Sequence, residues 1–120
     1  WNRIKKLEED KVILSKTVVI DNKKINLPIT VFLSISIQNH SEKWLTNFQR
    51  VVKKYDEITE VHRLTGTNSD YQITILSPSI DEYDKFQQNL IKEIECTYMS
   101  SHISLQVIKQ NHKLPLTYVN

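Results

Sequence analysis

Residues Leu64-Thr65-Gly66-Thr67-Asn68-Ser69-Asp70-Tyr71-Gln72-Ile73-Thr74-Ile75-Leu76 decide the fold. Two β-type runs, 60–65 and 71–76, flank a polar insert that is typical of a hairpin turn. Gly66 is the only glycine among the 120 residues. Because only glycine adopts a positive φ without a steric cost, it predicts an unusual backbone point at the hairpin tip. Gly66 either merely permits the turn or lets a ligand or a second subunit approach the backbone.

The elements around the hairpin follow from hydrophobic periodicity. Val31, Leu33, Ile35 and Ile37 alternate with more polar residues, which indicates a strand with one apolar face. Ser41 and Ser79 are good N-caps for two amphipathic helices, and Ser79 with Glu82 forms a capping-box pattern. The predicted apolar stripes of the helices are Trp44, Leu45, Phe48, Val51, Val52 and Tyr55, then Tyr83, Phe86, Leu90, Ile91 and Ile94. A last strand is predicted from Thr97 to Lys109, with Ile103, Leu105 and Val107 on one face.

The order from Ile29 onward is therefore strand, helix, strand, strand, helix, strand. Two helices with one apolar stripe each cover only one face of a four-stranded sheet, which predicts an α+β fold of the ferredoxin-like βαββαβ type. Right-handed crossovers place two helix-flanking strands side by side in the middle. The uncovered face, which a second copy of the chain would naturally cover, is predicted to carry Phe32, Ser34, Ser36, Gln38, Leu64, Thr74, Leu76, His102 and Gln106.

Composition limits the classes of function. A net charge of +2 is too mild to argue for nucleic-acid binding by itself, and no apolar run is long enough to span a membrane. One cysteine excludes an intrachain disulfide, and the four histidines show no metal-binding spacing. The lone glycine excludes a glycine-rich phosphate loop. We therefore expect a cytoplasmic protein that is not an enzyme and has no cofactor and no metal.

Three motifs, taken together, resemble the Lrp/AsnC (feast/famine) family of prokaryotic transcription regulators. The segment 3–13, RIKKLEEDKVI, is similar to the family's RI-x-x-LE-x-x-G-x-I at the end of the recognition helix. Thr65-Gly66 followed by Asp70-Tyr71 is similar to TG-x-x-DY, and 105–109, LQVIK, to L-x-x-VK. The resemblance spans nearly the whole chain and implies a ferredoxin-like C-terminal domain.

The resemblance also implies a domain organisation. Residues 1–11 would be the end of a truncated winged helix-turn-helix domain, 12–28 a linking strand and turn, and 29–120 the ligand-sensing and oligomerisation domain. DNA reading needs a whole recognition helix, so DNA would be bound only through the missing part of the N-terminal domain. Arg3, Lys5 and Lys6 would be possible phosphate contacts in the intact protein, or simply a solvated helix face.

In the family, the TG-x-x-DY loop commonly forms part of an amino-acid effector pocket between dimers. The resemblance therefore implies three ligand-binding residues: Gly66 for backbone approach, Asp70 for the ligand's ammonium group, and Ser101 as a hydroxyl contributed across the interface. The interval from Gly66 to Asp70 is one residue longer than in the family. The alternative for Asp70 is an Asx-type hydrogen bond to nearby backbone.

Three functions remain open at this level. The first is the effector-sensing and oligomerisation domain of a DNA-binding regulator, a homodimer that could assemble further to an octamer. The second is a ligand-free structural dimerisation module, which the altered loop spacing favours. The third is a small cofactor-free oxygenase of the same fold, which the sequence disfavours because no His, Tyr or Asn set is visibly placed to converge in a cleft.

Overall fold

The computed structural model describes residues 21–119. Its elements are β1 (Ile29–Ser36), α1 (Glu42–Lys54), β2 (Ile58–Arg63), β3 (Tyr71–Ser77), α2 (Ile80–Glu93) and β4 (Tyr98–Ile103), followed by a short 3-10 turn at Leu116–Tyr118. The predicted βαββαβ order is confirmed. The predicted end of a helix-turn-helix domain at 1–11, with Arg3, Lys5 and Lys6, and the predicted linking strand up to residue 20 lie outside the described residues.

The four strands form one antiparallel sheet in the order β2-β3-β1-β4. The strands that lead into the two helices, β1 and β3, thus lie side by side in the middle, as the right-handed crossover rule requires. From Val31 onward, buried and half-buried side chains alternate along β1 without a break, and Val31, Leu33 and Ile35 are fully buried. They form the core with Ile73 and Ile75 of the neighbouring strand and with the two helices.

Both helices begin at their predicted caps. The Ser41 hydroxyl accepts a hydrogen bond from the Trp44 N–H, and the Ser79 hydroxyl accepts one from the Glu82 N–H. Each helix buries a stripe narrower than the sequence predicted, because Leu45 and Ile91 lie at the stripe edges and remain 37% and 50% exposed. The buried helical residues are Phe48, Val51, Tyr83 and Leu90.

Polar contacts tie α1 to the end of α2. The Trp44 indole donates to the Glu95 carbonyl at 2.6 Å, and the Asn47 amide donates to the Glu93 carbonyl at 2.9 Å. The Glu93 carboxylate accepts hydrogen bonds from Lys54 and Tyr55, which lower the pKa of that carboxyl. These contacts fix how the two helices lie over the sheet.

The predicted last strand is wrong beyond Ile103. The strand β4 pairs with β1, where Ile103 lies opposite Val31 and the Ser104 N–H still donates to the Thr30 carbonyl at 2.9 Å. Continuing this register would place Gln106 opposite Pro28, which precedes β1 and has no N–H to donate, so the ladder stops there. Leu105, Val107 and Ile108 are consequently 94%, 60% and 84% exposed, and Gln106 does not belong to the sheet face.

The other predicted members of the uncovered face that lie on strands point away from the helices. They are Phe32, Ser34, Ser36, Thr74, Leu76 and His102, each adjacent in sequence to a residue on the helix-covered side. Leu64 lies one residue past β2 and continues the ladder, since its N–H donates to the Asp70 carbonyl at 2.8 Å. Within residues 21–119, neither helix covers this face.

Core burial predicts a matched stability difference on α2. We expect Leu90→Ala to lower the free energy of unfolding by about 2–5 kcal/mol, because Leu90 is fully buried and its removal leaves a cavity. Ile91→Ala, at the half-exposed adjacent position, should cost clearly less. Urea unfolding followed by circular dichroism measures both, and equal losses would contradict the assigned core.

Candidate functional site

The hairpin loop 64–70 projects from one end of the sheet with an open backbone at its tip. Gly66 has φ of +127°, and Asn68 is left-handed with φ of 62°. A Cβ built on Gly66 would meet nothing within 4 Å. Glycine is therefore required by its backbone angle and not by crowding within the chain, and the space beside the Gly66 backbone is open.

Asp70 anchors this loop to β1, which the sequence did not reveal. Its Oδ2 accepts a hydrogen bond of 2.8 Å from the Ile37 N–H, and its own N–H donates to the Ile35 carbonyl at 2.8 Å. The expected local Asx-type bond is therefore wrong: the partner is 33 residues away in the chain. Sequence reasoning missed Ile37 because a backbone N–H carries no side-chain signal.

Ser101 lies on the helix-covered side of β4. Its hydroxyl is 2.6 Å from the Tyr83 hydroxyl of α2, and burial raises the pKa of that tyrosine. In the register, Ser101 is opposite Leu33, and β1 separates it from the loop that carries Gly66 and Asp70. One chain thus brings Gly66 and Asp70 together but not Ser101, whose role across an interface stays a prediction.

Two hydroxyls near the loop are buried without a hydrogen-bond partner among the described residues. They belong to Ser36, on the uncovered side of β1, and to Ser69, next to Asp70. Each buried hydroxyl that stays unpaired lowers the free energy of unfolding by about 1–3 kcal/mol. The loop end of the sheet therefore holds polar groups that no described residue satisfies.

A cleft of about 830 Å³ opens at the same end of the sheet, between the start of α1 and the end of α2. Trp44, Lys43 and Cys96 are among its lining residues. Burial raises the pKa of the Cys96 thiol, which agrees with an inert cysteine. Ile37 joins the two places, because it lines the cleft and its N–H binds Asp70.

Within residues 21–119, no group of three or more His, Cys, Asp or Glu side chains is arranged to hold a metal ion. In the same part of the chain, no helix has the length and apolar character needed to cross a membrane.

The sequence matches the family model of the Lrp/AsnC ligand binding domain over residues 30–114. The chain belongs to the Lrp/AsnC family. It is 38% identical over 116 residues to the glutamate uptake regulatory protein of Zymomonas mobilis, covering 97% of this chain and 70% of that protein. The crystal structure of an AsnC family transcriptional regulator from Agrobacterium tumefaciens matches with a TM-score of 0.86 and 38% identity, over 100% of this chain and 78% of that one.

A second solved structure shares the fold at lower sequence identity. It is a transcriptional regulator from Neisseria meningitidis in complex with L-Met, with a TM-score of 0.86 and 22% identity over 99% of this chain and 77% of that one. These relatives confirm the resemblance and the ferredoxin-like fold. Their names place the chain among transcriptional regulators, and none of them supports the oxygenase alternative.

The Asp70 anchor predicts a stability loss that separates it from an ordinary turn aspartate. We expect Asp70→Ala to lower the free energy of unfolding by about 1–3 kcal/mol, because the part-buried Ile37 N–H loses its acceptor. Asp21→Ala is the matched control, since the Asp21 carboxylate accepts an exposed local bond from the Lys23 N–H. Urea unfolding should show little change in the free energy of unfolding for the control. An equally small change for Asp70→Ala would refute the anchoring role of Asp70.

The backbone angle of Gly66 predicts a purely conformational penalty. Gly66→Ala should destabilise the fold by about 1–3 kcal/mol through strain at positive φ, although its methyl group meets no atom. Asn68→Gly should be neutral or stabilising, because glycine accepts the left-handed conformation more readily. Thermal unfolding of both variants tests this, and an unaffected Gly66→Ala would show that the loop adapts freely.

Proposed function

We propose that this chain is the effector-sensing and oligomerisation domain of a cytoplasmic DNA-binding transcriptional regulator, not an enzyme, and that it binds an amino acid between dimers. The observation that carries the proposal is the open backbone at Gly66 on a loop held in place by Asp70. DNA would be bound through a helix-turn-helix domain of the intact protein. The family assignment supports this function, and the L-Met complex of the Neisseria relative supports an amino-acid effector.

The loop offers the two kinds of group that an amino acid needs. Successive backbone N–H groups around a positive-φ glycine can form a concavity for a carboxylate. The Asp70 carboxylate can accept a charge-assisted hydrogen bond from an ammonium group in addition to the bond from Ile37, because a carboxylate has about four acceptor sites. A ligand shared between dimers would then favour one assembly over another through its differential affinity.

The uncovered sheet face supports homodimerisation. Phe32 and Leu76 lie on it, and the tail beyond β4 adds the exposed apolar side chains of Leu105 and Ile108. Apolar surface of this extent is typical of a face that a second copy covers. We propose a sheet-to-sheet dimer, and further assembly to an octamer through the loop end.

A ligand-free structural dimerisation module is the second candidate, and the Asp70 geometry favours it. The carboxylate that would recognise an ammonium group already accepts the Ile37 N–H, so its presence is explained by folding alone. The extra residue between Gly66 and Asp70 points the same way.

Ligand-dependent stabilisation decides between the two candidates. In thermal unfolding against the common amino acids at millimolar concentration, one or a few should raise Tm selectively. A ligand at about a hundred times its Kd adds about 2.7 kcal/mol, which corresponds to several degrees. Asp70→Asn should weaken the shift, because it keeps an acceptor for Ile37 but removes the charge.

The alternative outcome is equally specific. A flat panel with a dimeric or larger protein would establish the ligand-free module. An equal shift with Asp70→Asn would remove Asp70 from the recognition of the ligand, whichever amino acid binds.

A further inference from the structure

The uncovered sheet face carries an ionisable side chain at each of its two edges. In the register, the row of residues that crosses the sheet at Phe32 runs Glu60, Thr74, Phe32 and His102. Glu60 lies on the edge strand β2 and His102 on the opposite edge strand β4. Both side chains are exposed. Since adjacent strands are about 4.8 Å apart, three strand spacings separate them by about 14 Å, too far for contact within one chain.

The orientation of the two-fold axis between two copies of the chain decides which partner residues Glu60 and His102 meet. If the axis runs parallel to the strands, the rotation exchanges the two edges of the sheet and leaves each residue's position along the strand direction unchanged. Strand β2 then lies over β4 of the partner. Glu60 then faces His102 of the partner subunit, and the same contact occurs twice. An axis perpendicular to the strands instead lays each edge strand over itself, and Glu60 then meets the partner's β2.

The large exposed side chains select between these arrangements. Leu64 continues β2 at one end of the sheet, and Tyr98 lies at the same end on β4, opposite Ser36. They are 37% and 52% exposed. The parallel axis places Leu64 over Tyr98 of the partner subunit, which buries two apolar surfaces against each other. The perpendicular axis places each of these residues over the opposite end of the same strand in the partner, so that Tyr98 meets the partner's polar Ser104.

We propose that a second copy docks on this face with the two-fold axis parallel to the strands, and that Glu60 of each chain forms an ion pair with His102 of the other. The inference rests on the sheet-to-sheet dimer of the proposed function and specifies its geometry. Histidine gains its charge within about pH 5–8, whereas glutamate stays ionised there. The pair is therefore present at the lower pH and lost as pH rises, so the dimer tightens on acidification.

Other groups around His102 modify this pair without replacing it. Within its own chain His102 has Phe32 beside it on β1, and Ser100 Oγ is 3.5 Å from its Nε2. In the dimer the partner's β2 and β3 present Glu60, His62 and Thr74. His62 is 3.0 Å from Glu60 of the same chain and so competes for that carboxylate once protonated. A carboxylate has enough acceptor sites for both rings.

The test is the dimer dissociation constant of the 120-residue chain at about pH 6 and about pH 8, measured by sedimentation of serial dilutions. Two symmetric pairs predict roughly tenfold tighter dimers at the lower pH. Glu60→Gln and His102→Gln should each remove this difference, and the double variant should behave like either one. His40→Gln makes the same change on the exposed loop before α1 and should leave the difference intact.

The comparison of two histidines distinguishes the axes. Loss of the pH effect with His102→Gln and its survival in His62→Gln supports the parallel axis. The reverse result would overturn it, because the perpendicular axis pairs Glu60 with the partner's His62. A dimer with no pH effect would refute the ion pair and leave the proposed function standing. A chain that is monomeric at both pH values would refute the ion pair and the sheet-to-sheet dimer together.

Discussion

The alternation along β1 is the constraint on which the rest of this domain depends. Val31, Leu33 and Ile35 have no exposed surface, so both helices must lie on their side of the sheet. Burying each such side chain is worth about 1.5–3 kcal/mol, which is large against the net stability of a small domain. A one-residue shift of register would bury Phe32 and the serines instead. The same alternation therefore creates both the core and the mixed apolar and polar face that the helices leave open.

The C-terminal end of β1 connects this framework to the hairpin loop of the candidate site. The Ile35 carbonyl accepts the Asp70 N–H, and the Ile37 N–H donates to the Asp70 carboxylate, so the hairpin loop is held by one of the two central strands. Gly66 then presents its backbone from a fixed base. A loop with two positive-φ residues, supported by a strand of the core, is a suitable arrangement for ligand recognition. It also means that any ligand contact with Asp70 acts directly on β1.

The two surfaces proposed for assembly, the uncovered face and the loop end, adjoin each other and share Leu64 and Ser36. On the face, apolar residues alternate with hydroxyl, amide and ionisable groups, which favours a partner with the same pattern over a featureless apolar cover. At the loop end, the hydroxyls of Ser36 and Ser69 have no hydrogen-bond partner within residues 21–119, so another surface can satisfy them. Sheet-to-sheet pairing and loop-end contacts would thus be coupled through these shared residues, and a ligand at the loop end would act on the packing of the face as well.

Periodicity and capping chemistry in the sequence were sufficient for the element order, the covered face and both helix starts, because these depend on local spacing and on neighbouring side chains. They could not set the end of β4, because its ladder stops near Pro28, and which residues of β4 lie near Pro28 depends on the register of the folded sheet. Nor could they reveal that Asp70 binds the Ile37 N–H, since a bond between residues 33 apart exists only after the sheet has formed. The sequence singled out Gly66 by itself, while only the tertiary structure determined that the space around it is open, because that depends on where every other atom lies.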